Sequence, residues 1–206
     1  MKTKITIIIL SLAIITPMVT MAQSGSWRGS SSVLSKAAQL DDEPVDNIPI
    51  PVLFGIELSD IYPDFGASRG GGTRSHEGQD LLTITGVPIV SPTEAVVRNT
   101  GYGASAGNYV YTINPGGEVF AYMHLDEINP DLDAGDVLEV GDYIGTLGYS
   151  GNAIASAPHL HFEIHDKEGE ATDPYPRITE EFDLEDKMEF LEQILDDLEL
   201  LKKEKL

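Results

Sequence analysis

Between residues 48 and 178 the chain is a series of short apolar runs, each about the length of a β-strand, separated by turn-forming residues. Runs of this length, without a long helical apolar repeat between them, predict a mainly β domain: an antiparallel sandwich or a hybrid barrel. Residues 114–117, Asn-Pro-Gly-Gly, predict a hairpin turn between two of the strands. The expected strands are 80–85, 95–98, 109–113, 119–124, 137–140, 143–148 and 159–165.

The residues before this region predict export and then a flexible connection. Lys2 and Lys4 precede an apolar run at residues 5–15, and small residues follow up to Ala22. That order predicts a secretory signal peptide at residues 1–22, and the run is short for a membrane span. Residues 23–48 are rich in Ser and Gly and then acidic, which predicts a flexible linker. We therefore expect the protein in the periplasm or outside the cell.

The residues after the β region predict a C-terminal amphipathic helix at 179–206. Its apolar residues recur at spacings of four and three, which gives one helical stripe. The stripe is formed by Leu184, Met188, Leu191, Leu195 and Leu198. We expect it to pack on the chain's own domain and the protein to be a monomer. A short coiled coil is the alternative.

The charge of the chain excludes some partners. The formal net charge is −21, and a surface of that sign repels phosphate backbones and anionic headgroups. We expect no nucleic-acid partner and, after signal cleavage, no stable membrane insertion. The sequence has no cysteine, so disulfides cannot stabilise an exported fold.

The chain has five histidines, all in the β region, and the first begins the sequence His76-Glu-Gly-Gln-Asp80. An imidazole and a carboxylate are a good pair of zinc ligands. The rival interpretation is a helical His-Glu-x-x-His protease motif with Glu77 as general base. Asp80 replaces the second histidine, and Gly78 lies within the motif. Those two differences favour a loop that leads into a strand.

Two more histidines lie in the sequence His-Leu-His-Phe-Glu-Ile at residues 159–164. In a strand, alternate residues share a face, so His159, His161 and Glu163 point one way and the apolar residues point to the core. The backbone positions that carry the two imidazoles are about 7 Å apart along the strand. Both could bind one metal ion, or one could bind it while the other acts on a substrate. The spacing allows either arrangement.

Together with Tyr-x-His-Leu around His124, these motifs resemble those of the lysostaphin/LytM-type zinc metalloendopeptidases, in the same order and at typical distances. The resemblance covers residues 62–176. It includes Arg69 upstream, the Gly-Asn-Tyr sequence around Asn108, and Asp-Pro at residues 173–174. It implies a mainly antiparallel β domain at residues 49–178 with Zn²⁺ at the floor of a groove.

The resemblance also implies the roles of the histidines. His76, Asp80 and His161 would be the zinc ligands, with the fourth position left to water. His124 and His159 would be catalytic histidines that do not bind the metal, and either can act as the base. Three protein ligands and an open position are the usual arrangement of a catalytic zinc site.

The implied substrates are stem-peptide cross-links or bridges of bacterial peptidoglycan, which fits export. The alternative function is a non-catalytic regulator of other wall hydrolases. Glu163, Asn108 and Arg69 are expected to support the ligands by hydrogen bonds. His165 is expected at the rim of the site.

Overall fold

The computed structural model of the chain describes residues 30–204, with side chains described as far as residue 195. The expected signal peptide lies outside the described residues. Within residues 30–204, the structure contains no helix that is both long and apolar enough to cross a membrane.

The described chain is mainly β, with one helix at each end. The helices are α1 (Ser31–Ala37) and α2 (Leu184–Glu204). The strands are β1 (Ile48–Pro49), β2 (Ser68–Arg69), β3 (Arg74–Ser75), β4 (Gln79–Leu82), β5 (Pro88–Val90), β6 (Ala95–Gly103), β7 (Gly107–Ile113), β8 (Val119–Ile128), β9 (Val137–Leu138), β10 (Tyr143–Leu147), β11 (His159–His165), β12 (Ala171–Thr172) and β13 (Ile178–Glu180).

Nine of these strands form one antiparallel sheet. Its main path runs β12-β11-β8-β7-β6-β9, while β4 joins β11 and β10 joins β8 and β5. The β2–β3 hairpin is separate, and β1 pairs with β13 in parallel. The mainly antiparallel β fold and the C-terminal helix are confirmed, whereas the nine-stranded sheet described here does not close into a barrel.

The core packs against one face of β11. Leu160, Phe162 and Ile164 are fully buried, and the Phe162 ring lies 5.4 Å from the rings of both Phe120 and Tyr122 on β8. Because side chains alternate along a strand, this packing turns the histidines of β11 to the opposite face. The core thereby fixes the face of the sheet that carries the candidate site.

The flexible linker expected at residues 23–48 is wrong for the residues from 30 onward. α1 begins at an N-cap, where the Ser30 hydroxyl accepts from the Val33 amide at 3.4 Å. Val33 is buried against Val96 and Ile113 of the sheet. Further along, the Asp41 carbonyl accepts a hydrogen bond at 2.9 Å from the β7–β8 turn. A seven-residue helix with one buried apolar residue has no apolar period to recognise.

Val33→Ala tests whether this segment is part of the folded domain. Removing two buried methyl groups is expected to lower the free energy of unfolding by about 2 kcal/mol. The neighbouring Leu34 is 44% exposed, so Leu34→Ala is the control and should change it by less than about 0.5 kcal/mol. Denaturant titration measures both. If Val33→Ala changed the free energy of unfolding as little as Leu34→Ala, packing of α1 would contribute nothing to the stability of the domain.

The expected packing of the C-terminal stripe is also wrong for its members up to Leu195, the last residue whose side chain the structure describes. Leu184 is 76% exposed and Leu195 is 60% exposed, and Met188 and Leu191 are exposed as well. α2 instead contacts the domain through Phe190, which is buried with its ring 5.8 Å from that of Tyr143. Phe190 is the buried residue that α2 contributes to a small apolar cluster, which also contains Leu53, Val90 and Phe182. Because these residues of the stripe are exposed, their packing gives no support to the expected monomer.

Candidate metal centre

Three side chains bring one ligand atom each to a common point. His76 Nε2 lies 3.0 Å from Asp80 Oδ1 and 2.9 Å from His161 Nδ1, and the last two atoms are 2.9 Å apart. Asp80 on β4 is the direct cross-strand partner of His161 on β11. Such partners have Cβ atoms about 5 Å apart, so pairing of the two strands brings both ligands together.

The loop that carries His76 depends on Gly78. A Cβ atom at this position would lie 2.5 Å from the Phe162 carbonyl oxygen and 2.9 Å from His161 Cε1. Only glycine lets the chain pass this close over β11. The segment is a loop followed by β4, and Glu77 is exposed. The helical His-Glu-x-x-His interpretation is therefore wrong.

Both histidines are held by their second ring nitrogen. His76 Nδ1 donates to the backbone carbonyl of Asp64 at 3.0 Å, and His161 Nε2 donates to Glu163 Oε1 at 2.8 Å. These bonds leave the lone pairs of His76 Nε2 and His161 Nδ1 facing the common point. Metal-binding histidines are oriented in this manner in known sites.

The carboxylate ligand is held in the same way. Arg69 Nη2 donates to Asp80 Oδ2 at 3.0 Å and to Asp64 Oδ2 at 2.9 Å. Asp80 Oδ1 is therefore the oxygen that faces the histidines. Asp64 also accepts from the Asp80 backbone amide through Oδ1 at 3.2 Å.

The donor set fits zinc. Two imidazole nitrogens and one carboxylate oxygen are ligands that zinc prefers, and ligand distances of 2.0–2.2 Å with tetrahedral angles separate neighbouring donors by about 3.3 Å. The observed separations of 2.9–3.0 Å need to widen by only a few tenths of an ångström. Their supporting hydrogen bonds already orient all three donor atoms inward.

Charge at the site favours a bound cation. Burial opposes protonation of His76, but its hydrogen bonds to Asp64 and Asp80 outweigh that effect and raise its pKa to about 9. Burial likewise opposes ionisation of Asp80, yet hydrogen bonds from His161 and His76 hold the pKa of this carboxyl well below its usual range. A proton held among these groups occupies the place where a metal ion can bind.

His124 reaches the site because the backbone of β8 changes conformation there. Its φ is 64°, the left-handed region that few non-glycine residues adopt. Phe120 and Tyr122 face the core, and so does Leu125, so the alternation shifts by one at His124. The imidazole is thereby directed towards the histidines of β11, with its ring centre 5.0 Å from that of His159.

The imidazoles of His124 and His159 each leave Nε2 directed away from a backbone anchor. His124 Nδ1 donates to the Ser150 carbonyl at 2.9 Å, and His159 Nδ1 donates to the Ala157 carbonyl at 2.8 Å. His159 Nε2 lies 3.8 Å from Asp80 Oδ1, beside the ligand cluster. Burial and the neighbouring histidines lower the pKa of His124 to about 4, so this ring is neutral at pH 7.

The structure brings most of the expected supporting residues to the ligands. Glu163 and Arg69 hydrogen-bond to His161 and Asp80 as described above. Asn108 does not reach them: its Nδ2 donates to the carbonyls of Leu125 and Asp126, so it supports β8 just after His124. The sequence motif does not indicate which groups the side-chain amide of Asn108 contacts.

The structure differs from the sequence prediction at His165 and adds one residue to the site, Asp64. His165, expected at the rim, is buried, with Nε2 2.7 Å from Glu163 Oε2. The expectation failed because the turn after β11 returns as β12, which places the Gly169 carbonyl 3.3 Å from His165 Nδ1, and β12 is too short to recognise. Asp64 was missed, since a single acidic residue in a loop has no periodic or spacing signal.

The geometry agrees with comparisons to known proteins. Residues 74–174 match the model of peptidase family M23. The chain is similar to an L-Ala--D-Glu endopeptidase of Bacillus subtilis, with 30% identity over 63% of this chain and 42% of that protein. It spans less than half the length of the curated relatives that it matches.

Two solved structures are also similar. One is from Ruminococcus gnavus and is assigned as a glycyl-glycine endopeptidase, lytM; identity is 31%, the TM-score is 0.52, and the match covers 65% of this chain and 58% of that one. The other is the catalytic domain of lysostaphin, an antimicrobial peptidase of Staphylococcus simulans. Here identity is 27%, the TM-score is 0.51, and 59% of this chain and 94% of that one are covered. Residues 74–174 thus form a peptidase family M23 domain, similar to the peptidases of the lysostaphin and LytM type.

Proposed function

We propose that this chain is an exported zinc metalloendopeptidase that hydrolyses peptide bonds in bacterial peptidoglycan. The observation that carries the proposal is the convergence of three oriented ligand atoms, on His76, Asp80 and His161, next to two imidazoles that are anchored separately. Family membership supports peptidase chemistry. The retained ligands and imidazoles favour an active enzyme over a non-catalytic regulator.

The three ligands would hold the ion and leave one coordination position open. A bound zinc ion supplies Lewis acidity, which polarises a carbonyl and lowers the pKa of water. Two neutral imidazoles and one carboxylate leave a net charge of about +1 at such a site, which preserves that acidity. Arg69 and Glu163 keep the ligands in place through the hydrogen bonds described above.

The two anchored imidazoles would move the protons. Each donates its Nδ1–H to a backbone carbonyl, so Nε2 of the neutral ring can accept a proton. One imidazole can take a proton from the attacking water. Once protonated, an imidazole can donate to the developing oxyanion or to the leaving amine. Either ring can serve in either role.

One comparison and one expectation from the sequence support peptidoglycan as the substrate. The relatives similar to this chain include an L-Ala--D-Glu endopeptidase and the catalytic domain of lysostaphin, an antimicrobial peptidase. The expected signal peptide at residues 1–22 would bring the enzyme to the periplasm or the exterior, where the cell wall lies. The strongly negative charge gives no support to a nucleic-acid substrate.

Digestion of purified peptidoglycan tests the proposal. We expect the zinc-loaded protein to release fragments whose masses show water added at one type of peptide bond, with one new amino group per cut. The glycan strands should stay intact. The same protein treated with a chelator should release none, and added zinc should restore the release. Zinc-loaded protein that leaves peptidoglycan from several wall types uncut would contradict the proposal.

A further inference from the structure

The face of β11 that carries His161 continues with two more polar residues, Glu163 and His165. We infer that His165 is a positioning residue for the metal centre: it holds the Glu163 carboxylate in the orientation that fixes the His161 ring. The inference rests on the proposed zinc site, because it concerns how one ligand of that site is held.

The three side chains form a continuous row of hydrogen bonds. His161 Nε2 donates to Glu163 Oε1 at 2.8 Å, and His165 Nε2 donates to Glu163 Oε2 at 2.7 Å. Each carboxylate oxygen therefore has its own imidazole partner. At the far end, His165 Nδ1 lies 3.3 Å from the Gly169 carbonyl, in the turn between β11 and β12. The row connects the ligand atom to a fixed backbone group.

Burial makes this row rigid and costly to break. Glu163 is 8% exposed and His165 is 6% exposed. A buried carboxylate is tolerated only when it is paired, and a lost partner leaves an uncompensated charge. The buried carboxylate thus has one imidazole partner on each oxygen.

Loss of the His165 imidazole would weaken metal binding indirectly, because His165 holds Glu163 and Glu163 in turn holds the ligand His161. Without it, Oε2 lacks its imidazole donor and the carboxylate can rotate away from His161. The His161 ring is then held less firmly with Nδ1 towards the ion. Changes to groups that orient metal ligands typically reduce metal affinity 10- to 100-fold. His165 is one step further from the metal, so we expect about a 10-fold loss.

The experiment measures zinc affinity by competition with a chelating indicator, independently of hydrolysis. His165→Leu removes the bond to Glu163 and should weaken zinc binding about 10-fold. His165→Gln places an amide donor near the Nε2 position and should restore affinity to within about 3-fold of the wild type. His165→Asn can donate only near the Nδ1 position, so it should resemble His165→Leu. This polar variant tests the idea even if His165→Leu fails to fold.

A double-variant cycle distinguishes positioning from a general effect on stability. Because His165 acts through Glu163, Glu163→Ala combined with His165→Leu should bind zinc as weakly as Glu163→Ala alone. Thr172→Val is the matched control: it removes a 3.1 Å bond to the Ile164 carbonyl in the same β11–β12 pair and should leave zinc affinity unchanged.

Three results would overturn the inference. They are wild-type affinity in His165→Asn, multiplicative losses in the double variant, and a loss in Thr172→Val as large as that in His165→Leu. A wild-type protein that bound no zinc would instead contradict the metal centre itself, so failure of the proposed function is distinguishable from failure of this inference.

Discussion

Asp80→Ala is expected to reduce bound zinc from about one ion per chain to less than about a tenth of that value, and to reduce peptidoglycan hydrolysis to background. The substitution removes the only anionic ligand of the three. It also leaves His76 and His161 without the oxygen that lies 3.0 and 2.9 Å from their ligand nitrogens. His161→Ala should have the same effect. Elemental analysis after dialysis measures the zinc.

Glu77→Ala is the matched control for this prediction. Glu77 is an exposed acidic residue between His76 and Asp80 in the sequence. It would be the general base in a helical His-Glu-x-x-His site. Here it should be replaceable with little change in zinc content or hydrolysis. Stoichiometric zinc in Asp80→Ala would contradict the ligand assignment, and an inactive Glu77→Ala that still binds zinc would favour the helical motif.

Variants of the two anchored imidazoles should separate zinc binding from turnover. His159→Ala and His124→Asn are expected to keep zinc and the fold but to lose hydrolysis by 10²-fold or more. Asparagine is the better replacement for His124 because it tolerates a φ of 64° more readily than alanine does. It therefore removes the imidazole without adding backbone strain to the measurement.

Initial rates of fragment release and zinc content, measured on the same samples, check this prediction. Thermal unfolding serves as the control for folding, and each variant should unfold close to the wild-type temperature. If either variant lost its zinc while it stayed folded, the division between ligands and proton-transfer groups would be wrong. Full turnover in either variant would remove that imidazole from the mechanism.

Of the strands that carry the site, β11 could be predicted with its bounds because its seven residues show a clear alternation, whereas β4 is shorter and β8 longer than predicted. β11 begins and ends where the alternation at residues 159–165 placed it, since its apolar residues form a buried row on one face. The pairing of Asp80 with His161 could not be deduced in the same way. It depends on which strand lies beside β11, and β4 joins it from residues 79–82, far away in the sequence.

The parts that sequence reasoning missed have too few residues in contact to produce a pattern. α1 is held by Val33, and α2 by Phe190, so neither helix shows a stripe that predicts its packing. The regular stripe of α2 pointed to the wrong face. At the site, the left-handed backbone of His124 was also hidden, because a shift in strand alternation depends on the neighbouring strands.

The most direct test of the metal centre is a crystal structure of the zinc-loaded protein with anomalous data collected on both sides of the zinc absorption edge. We predict one strong zinc peak per chain, bonded to His76 Nε2, Asp80 Oδ1 and His161 Nδ1 at about 2.0–2.2 Å. His124 and His159 should lie beside the ion without binding it. A peak bonded to His124 or His159 instead, or no peak at the cluster of His76, Asp80 and His161, would contradict it.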